Sequence, residues 1–357
     1  MVNSLCVYIP FIIKLQIQLK MNKQTYSYAG MFTTALRLVA GWTYFSAFWR
    51  RLILENKMDP DTAGYIGEKF NHFLPNALGI KPMIEFLVSN PEWLWWAMLA
   101  FTIIEGIVGL LFMLGILTRL MSIGVFSLAF GILLGSGWLG TTCLDEWQIG
   151  VLGVAAGFTI FMTGGGKFSV DELLARKGYK FTDHKLFRFF GSGVLPIKER
   201  ILPKIVLTGS LLILGLTLFT NQYFHGGVYG TLHNLSVKPH VTISDSRIDQ
   251  NTLSFEVFRD EGADVYGSFL IGVKLYDENQ NIVYELDQNQ LANLNPSQIK
   301  NDYVAKVKPG KHSLILPLGA RATLSLVDTS LATLQGKYKL ELLDISGVTW
   351  TSEITTH

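Results

Sequence analysis

Residues 120–139 read LMSIGVFSLAFGILLGSGWL, twenty positions without an Asp, Glu, Lys or Arg. An α-helix of that length crosses a hydrocarbon core of about 30 Å. Working outward, Trp93–Leu117 is longer and carries one charge, Glu105. Trp147–Thr163 and Ile205–Phe224 are uncharged. Thr33–Leu54 holds Arg37 inside it and Arg50 and Arg51 near its end. Trp42, Trp49, Trp93, Trp95, Trp96, Trp138 and Trp147 lie in or beside these runs, as an interfacial aromatic belt would place them. The pattern predicts an α-helical membrane bundle of four helices plus a fifth transmembrane helix. Buried helices of a large soluble core are the alternative, and so many long charge-poor runs in the first two thirds of the chain disfavour it.

The whole chain of 357 residues is 49% apolar but only 16% charged, against about 25% charged in an ordinary soluble domain. Such a chain is neither a single water-soluble globule nor disordered. A net charge of +2 carries no bulk basic field for nucleic acid. Two cysteines make neither a disulfide framework nor a four-ligand zinc site. There is no P-loop, dinucleotide fingerprint, HExxH, CxxC or CxxCH, so no metal is predicted and redox chemistry would fall to organic carriers or thiols.

Loop charges orient the bundle. Gly164–Lys204 holds nine Lys/Arg against four acids, whereas Glu55–Glu92 holds three Lys against six acids. The positive-inside rule puts the first of these in the cytoplasm. The N-terminus is then cytoplasmic, and the 55–92 and 140–146 loops and everything after Phe224 lie outside, which predicts a multi-pass protein of the cytoplasmic (inner) membrane. Residues 1–30 read as a leader, with Met21 a plausible true start; a short cytoplasmic amphipathic stub is the alternative. The remaining divisions are a bundle at 31–170, a basic linker at 171–204, a fifth helix at 205–224 and an outer domain at 225–357.

In that last segment the periodicity changes. Alternating runs at Ser254–Phe258, Ser268–Tyr276, Ile282–Leu286, His312–Leu316, Ala322–Val327, Tyr338–Leu343 and Val348–Ile354 are punctuated by DENQN, KPGK and DISG. Short strands with such turns predict an all-β, immunoglobulin-like sandwich.

Few residues can carry chemistry. Glu105, near the middle of its run, is a proton acceptor beside a quinone or substrate, or else a buried partner of Arg37 or Arg119. Arg50 and Arg51, at the outer end of the first helix, receive an anion or pair with Glu55. Arg119 sets topology from a tight inner turn or contacts a ligand, and Arg37 snorkels to the same surface. In GTTCLDEW (140–147), Cys143 is a sulfur acceptor or a small packing residue. Asp145 and Glu146 cap a helix, Glu146 being the catalytic alternative, and Trp147 anchors the interface or stacks on a quinone. His72, in EKFNHFLPNALG (68–79), sits on an amphipathic helix lying on the bilayer, as a quinol proton shuttle or as an exposed structural residue. Gly131 with Gly135, and Gly153 with Gly157, stand at helix-packing spacing.

ALRLVAGWTYFSAFWR (35–50), the run from Glu105 to Arg119 and GGGKFSVDELL (164–174) together resemble the DoxX/DoxD membrane superfamily, and GTTCLDEW is more similar to the DoxD branch. GGVYGTLHNLSVKP (226–239) resembles the start of DoxA. The order is that of a fused DoxD–DoxA thiosulfate:quinone oxidoreductase. The resemblance implies oxidation of thiosulfate to tetrathionate, quinone as electron acceptor, and family-typical positions at Glu105, Arg119, Lys167 and Asp171. The implied partners are membrane lipid, quinone and thiosulfate, with a homo-oligomer or further membrane subunits. A non-catalytic scaffold whose outer domain binds a partner in a redox-stress complex is the competing expectation. A transporter is disfavoured because the helices show no inverted repeat.

Overall fold

The computed structural model describes residues 21, 24–62, 64–140, 145–264 and 267–356. A helical stretch over 24–32 leads into α1 (Thr34–Phe48), which continues as a π-helical segment, Trp49–Leu54. Two short helices, α2 (Ile66–Asn71) and α3 (Lys81–Ser89), precede α4 (Pro91–Leu114), α5 (Thr118–Ser136) and α6 (Asp145–Thr163). Then come α7 (Val170–Arg176), α8 (Lys185–Phe190) and α9 (Leu202–His225). Among the described residues, α4, α5, α6 and α9 are long and apolar enough to cross a membrane. The run expected to reach Leu117 stops at Leu114, because Gly115 adopts a φ of +66° that ends the helix.

The chain divides into two compact units: one of residues up to Glu55, Ala100–Ile132 and Ile149–Phe219, the other of Asn56–Leu99, Leu133–Gln148 and the residues from Thr220 on. In the first, Tyr44, Phe112, Val125, Leu128, Val154 and Ile160 share a core. Glycine lets the helices approach. A Cβ on Gly109 would stand 2.4 Å from the Phe45 nitrogen, and one on Gly157 would stand 2.8 Å from that of Phe126. The expected small-residue pair at Gly153 and Gly157 is thus at a crossing, whereas nothing lies within 4 Å of a Cβ on Gly131. Residues 171–204 do not form a free linker. Ser169 caps α7, and the backbone N–H of Asp171 donates to the Gly115 carbonyl over 3.0 Å.

The second unit holds two antiparallel sheets. One runs β1 (His240–Asp249), β2 (Thr252–Glu261), β8 (Arg321–Val327), β5 (Ile299–Asn301). The other runs β10 (Thr349–Thr356), β9 (Gly336–Asp344), β3 (Ser268–Tyr276), β7 (Leu314–Leu316), β6 (Lys308–Pro309), with β4 (Ile282–Asp287) also on β3. Alternate residues of β2 (Leu253, Phe255, Val257) and β8 (Ala322, Leu324, Leu326) meet Val273 and Leu275 of β3 and Leu340 and Leu342 of β9 in one core.

The 66–78 segment does not lie free on a bilayer: it packs against this β domain. Leu74 is fully buried, and Phe73 packs on a cluster of Trp138, Leu139, Phe224 and Leu318. Asn71 donates to the Gly319 carbonyl over 2.7 Å and accepts from the Ala305 nitrogen over 3.3 Å. Trp138 is therefore a core residue, its indole donating to the Phe73 carbonyl over 3.3 Å, unlike the exposed Trp42, Trp93 and Trp96.

Candidate functional site

The antiparallel contact of α1 with α4 sets the first candidate site. Gly41 lies against Gly109, and Phe48 against Gly106. Continuing one turn brings Arg51 to Glu105, and the two form an ion pair with side chains 23% and 3% exposed. Glu105 lies past the middle of α4 but opposite the far end of the first helical element. Its partner is therefore Arg51, and not Arg37 or Arg119. Tyr44, also buried, is within electrostatic reach of Glu105. Thr102 Oγ1, one turn earlier on α4, is buried without a hydrogen-bond partner. Arg50 is exposed, its Nε donating to the Ser46 carbonyl over 3.3 Å.

Arg37, Arg119 and Asp171 do a different task. Helix ends leave carbonyls and amides without intrahelical partners. Arg37 reaches the Phe112 carbonyl over 3.0 Å, the Met113 carbonyl at the end of α4, and the Phe168 carbonyl over 2.9 Å. Arg119 donates to the carbonyls of Phe161 (2.8 Å), Arg188 (2.7 Å) and Gly193 (2.6 Å). Asp171 accepts from the backbone nitrogens of Leu117 and Thr118 and from the hydroxyls of Thr118 and Ser192, all within 2.9 Å. It therefore caps α5 and not its own helix. All three side chains are almost wholly buried. Arg37 does not snorkel, and Arg119 is spent on backbone carbonyls, with none of its surface left for a quinone or an anion.

The second candidate site lies where residues 137–140 and the start of α6 meet the end of α9 and the segment that follows it. Trp147 Nε1 donates to Thr220 Oγ1 over 3.0 Å, and its ring stands edge-on to His225, centroids 6.5 Å apart. His225 is fully buried, and its Nε2 lies 2.9 Å from the Gly137 carbonyl. That carbonyl only accepts, so Nε2 carries the proton and Nδ1, buried without a partner, presents a lone pair in the neutral ring. The Gly140 carbonyl accepts from Asn234 Nδ2 over 2.6 Å and from Ser236 Oγ over 2.7 Å. Cys143 lies outside the described residues. Glu146 is half-buried. The reading of single motifs missed His225, Asn234 and Ser236; the signal for the last two was the NLS triplet at 234–236, and His225 ends the apolar run before it.

His72 lies in the segment that packs against the β domain, and not on an exposed amphipathic helix. Both ring nitrogens are buried and unpartnered, although part of the residue's surface is exposed. Burial pushes its pKa down to about 4; Asp264 opposes the shift and Lys69 and Arg259 reinforce it. The lowered value favours the neutral ring at physiological pH.

Among the described residues, no group of three or more His, Cys, Asp or Glu stands where it could hold a metal. An apolar cleft of about 400 Å³, lined by Tyr26, Phe158, Thr159, Met162, Val206 and Ser210, opens in the helical unit.

Two family models match the chain in tandem. One, described as the TQO small subunit DoxD, matches residues 32–198. The other, described as the TQO small subunit DoxA, matches residues 224–353.

Proposed function

Since this chain belongs to the fused DoxD–DoxA type and so to the membrane proteins of thiosulfate:quinone oxidoreductase function, we propose that it oxidises thiosulfate to tetrathionate at the outer face and reduces membrane quinone. Two thiosulfate ions join through a new S–S bond and release two electrons. One quinone takes those electrons with two protons and becomes quinol. The observation that carries this reading is the tandem order of the two family matches in one chain.

The orientation proposed is N-terminus inside and β domain outside in the cytoplasmic membrane, supported by the nine basic residues between Gly164 and Lys204. The Arg51–Glu105 pair is the proposed proton-handling group on the quinone side. An ionisable pair inside an apolar bundle is costly and is a functional candidate for that reason. Cys143 and Glu146 are the proposed sulfur-side residues, with Trp147 as a proposed quinone contact and Arg50 as an outer anion contact.

The purified protein in detergent, given thiosulfate and a quinone analogue, is expected to reduce the quinone and form tetrathionate in a ratio of one to one. A folded sample that does neither sinks the proposal.

A further inference from the structure

Residues 177–190 read KGYKFTDHKLFRFF, four Lys/Arg and five aromatics against one acid, Asp183. They connect α6, which ends at Thr163, to α9, which starts at Leu202, and both helices are long and apolar enough to cross a membrane. The stretch therefore stays on one side of the bilayer, next to the ends of two spanning helices. It is also folded and held to the bundle. Arg119 donates to the Arg188 and Gly193 carbonyls, and Ser192 Oγ accepts from the Gly165 nitrogen over 2.9 Å. Phe189 meets Phe161 of α6 edge-on, ring centroids 6.0 Å apart. Apolar side chains nonetheless face outward: Tyr179, Phe181 and Leu186 are 48%, 52% and 61% exposed. Phe181 joins Tyr179 and Phe187 through ring centroids 5.9 and 5.3 Å apart, so the exposure is that of a cluster and not of scattered residues. Lys177, Lys180 and Lys185 are exposed and flank the cluster in sequence. The acids of this region are already engaged. Asp183 pairs with Arg188 over 3.5 Å, Glu172 pairs with Arg176 over 3.3 Å, and Asp171 is buried on the amides of α5.

We infer that this segment is an interfacial anchor selective for anionic phospholipid. Tyr179, Phe181 and Leu186 seat in the boundary between headgroups and acyl chains, and Lys177, Lys180 and Lys185 meet the headgroup phosphates. Two observations choose that occupant. The surface is continuous with a spanning helix through the Phe161–Phe189 contact, which sets it at the edge of the bilayer. Its charge is complementary to an anionic leaflet, which attracts basic residues beside membrane helices. A lysine suits both parts of such a surface, its stem lying along apolar groups while its ammonium stays among the headgroups. Segments of this kind bury an apolar face about 5–10 Å into the interface. Because Arg119 and Ser192 hold the backbone in place, the cluster is ordered before it meets lipid. The inference does not depend on the thiosulfate reaction.

The test is native mass spectrometry of the lipids that the full-length protein retains after extraction from vesicles of equal phosphatidylglycerol and phosphatidylcholine with the same acyl chains. The parent should retain phosphatidylglycerol in preference. Lys177→Gln, Lys180→Gln and Lys185→Gln together should lower that preference about tenfold. Arginine at the same three positions should keep it, since the charge is unchanged. Phe181→Ser with Leu186→Ser should lower the retention of both lipids. Lys274→Ala, at an exposed pair with Glu285 on β3 and β4, should retain lipid as the parent does. Equal retention of the two lipids by the parent, or an unchanged preference in the triple glutamine variant, overturns the inference. So does a parent dimer that shows no lipid preference and that Phe181→Ser with Leu186→Ser dissociates, which would give the surface to a second copy of the chain. Retention is read without turnover, so its outcome is separate from that of the quinone assay.

Discussion

Arg51 and Glu105 face each other inside the helical unit, and a buried charge loses heavily when its partner goes. Arg51→Ala should therefore destabilise the protein by about 3–5 kcal/mol in thermal unfolding in detergent. Glu105→Gln, which removes the charge but keeps the shape, should cost less stability, yet it should lower quinone reduction at least tenfold. Full activity in Glu105→Gln would return that residue to a structural role. His72 makes a prediction in pH. Its pKa is about 4 folded and 6.5 in the unfolded chain, so the unfolded state binds more protons between those values. The stability it allows is complete above pH 6.5 and falls as pH drops toward 4, by about 3 kcal/mol in all. His72→Phe should flatten that part of the denaturation profile. The sequence exposed both residues as unusual. It did not reveal what surrounds them, since burial of a ring nitrogen depends on chain segments far away.

At the scale of elements, α5 is held at its start by a residue of another helix. Asp171→Ala would leave the Leu117 and Thr118 amides without their acceptor, at a cost of about 2–4 kcal/mol. Gly153→Ala would place a methyl 2.6 Å from both Tyr44 Oη and the Ala129 Cβ. The strain should cost about 1–3 kcal/mol in the same unfolding measurement. Strand β3 was legible to the residue as Ser268–Tyr276, because its residues alternate between buried and half-buried on either side of a single break at Gly272–Val273. Strand β1 was not legible. Its sequence HVTISDSRID is polar, register shifts interrupt it, and Val241 is its one fully buried residue. The continuation of α1 as a π-helical segment was equally hidden, since WRRLIL reads the same in either helix.

For the whole molecule, the charge asymmetry of the loops makes a single statement. A reporter fused after His357 should be active only outside the cytoplasm, and cytoplasmic activity would overturn the proposed orientation. The β domain also does more than follow the bundle. Leu318 joins Trp138 and Phe224 in one cluster, while Gly319 comes so close to Asn71 that a Cβ would stand 2.3 Å from the Asn71 carbonyl oxygen. The 56–90 segment is therefore built onto this domain.

The helical runs, most of the strands and their order along the chain were determined by the sequence by itself, since burial writes a local period of about 3.6 or 2 into neighbouring residues. The membership in a fused DoxD–DoxA type followed from short motifs in that same order. What only the tertiary structure decided is the fate of each charge. Arg51 and not Arg37 meets Glu105, Arg119 spends its donors on carbonyls, and Asp171 caps a neighbour's helix. A guanidinium or carboxylate is satisfied by whatever helix crossing or chain end lies beside it. Backbone carbonyls and amides, the partners of Arg119 and Asp171, carry no residue identity that a sequence could display.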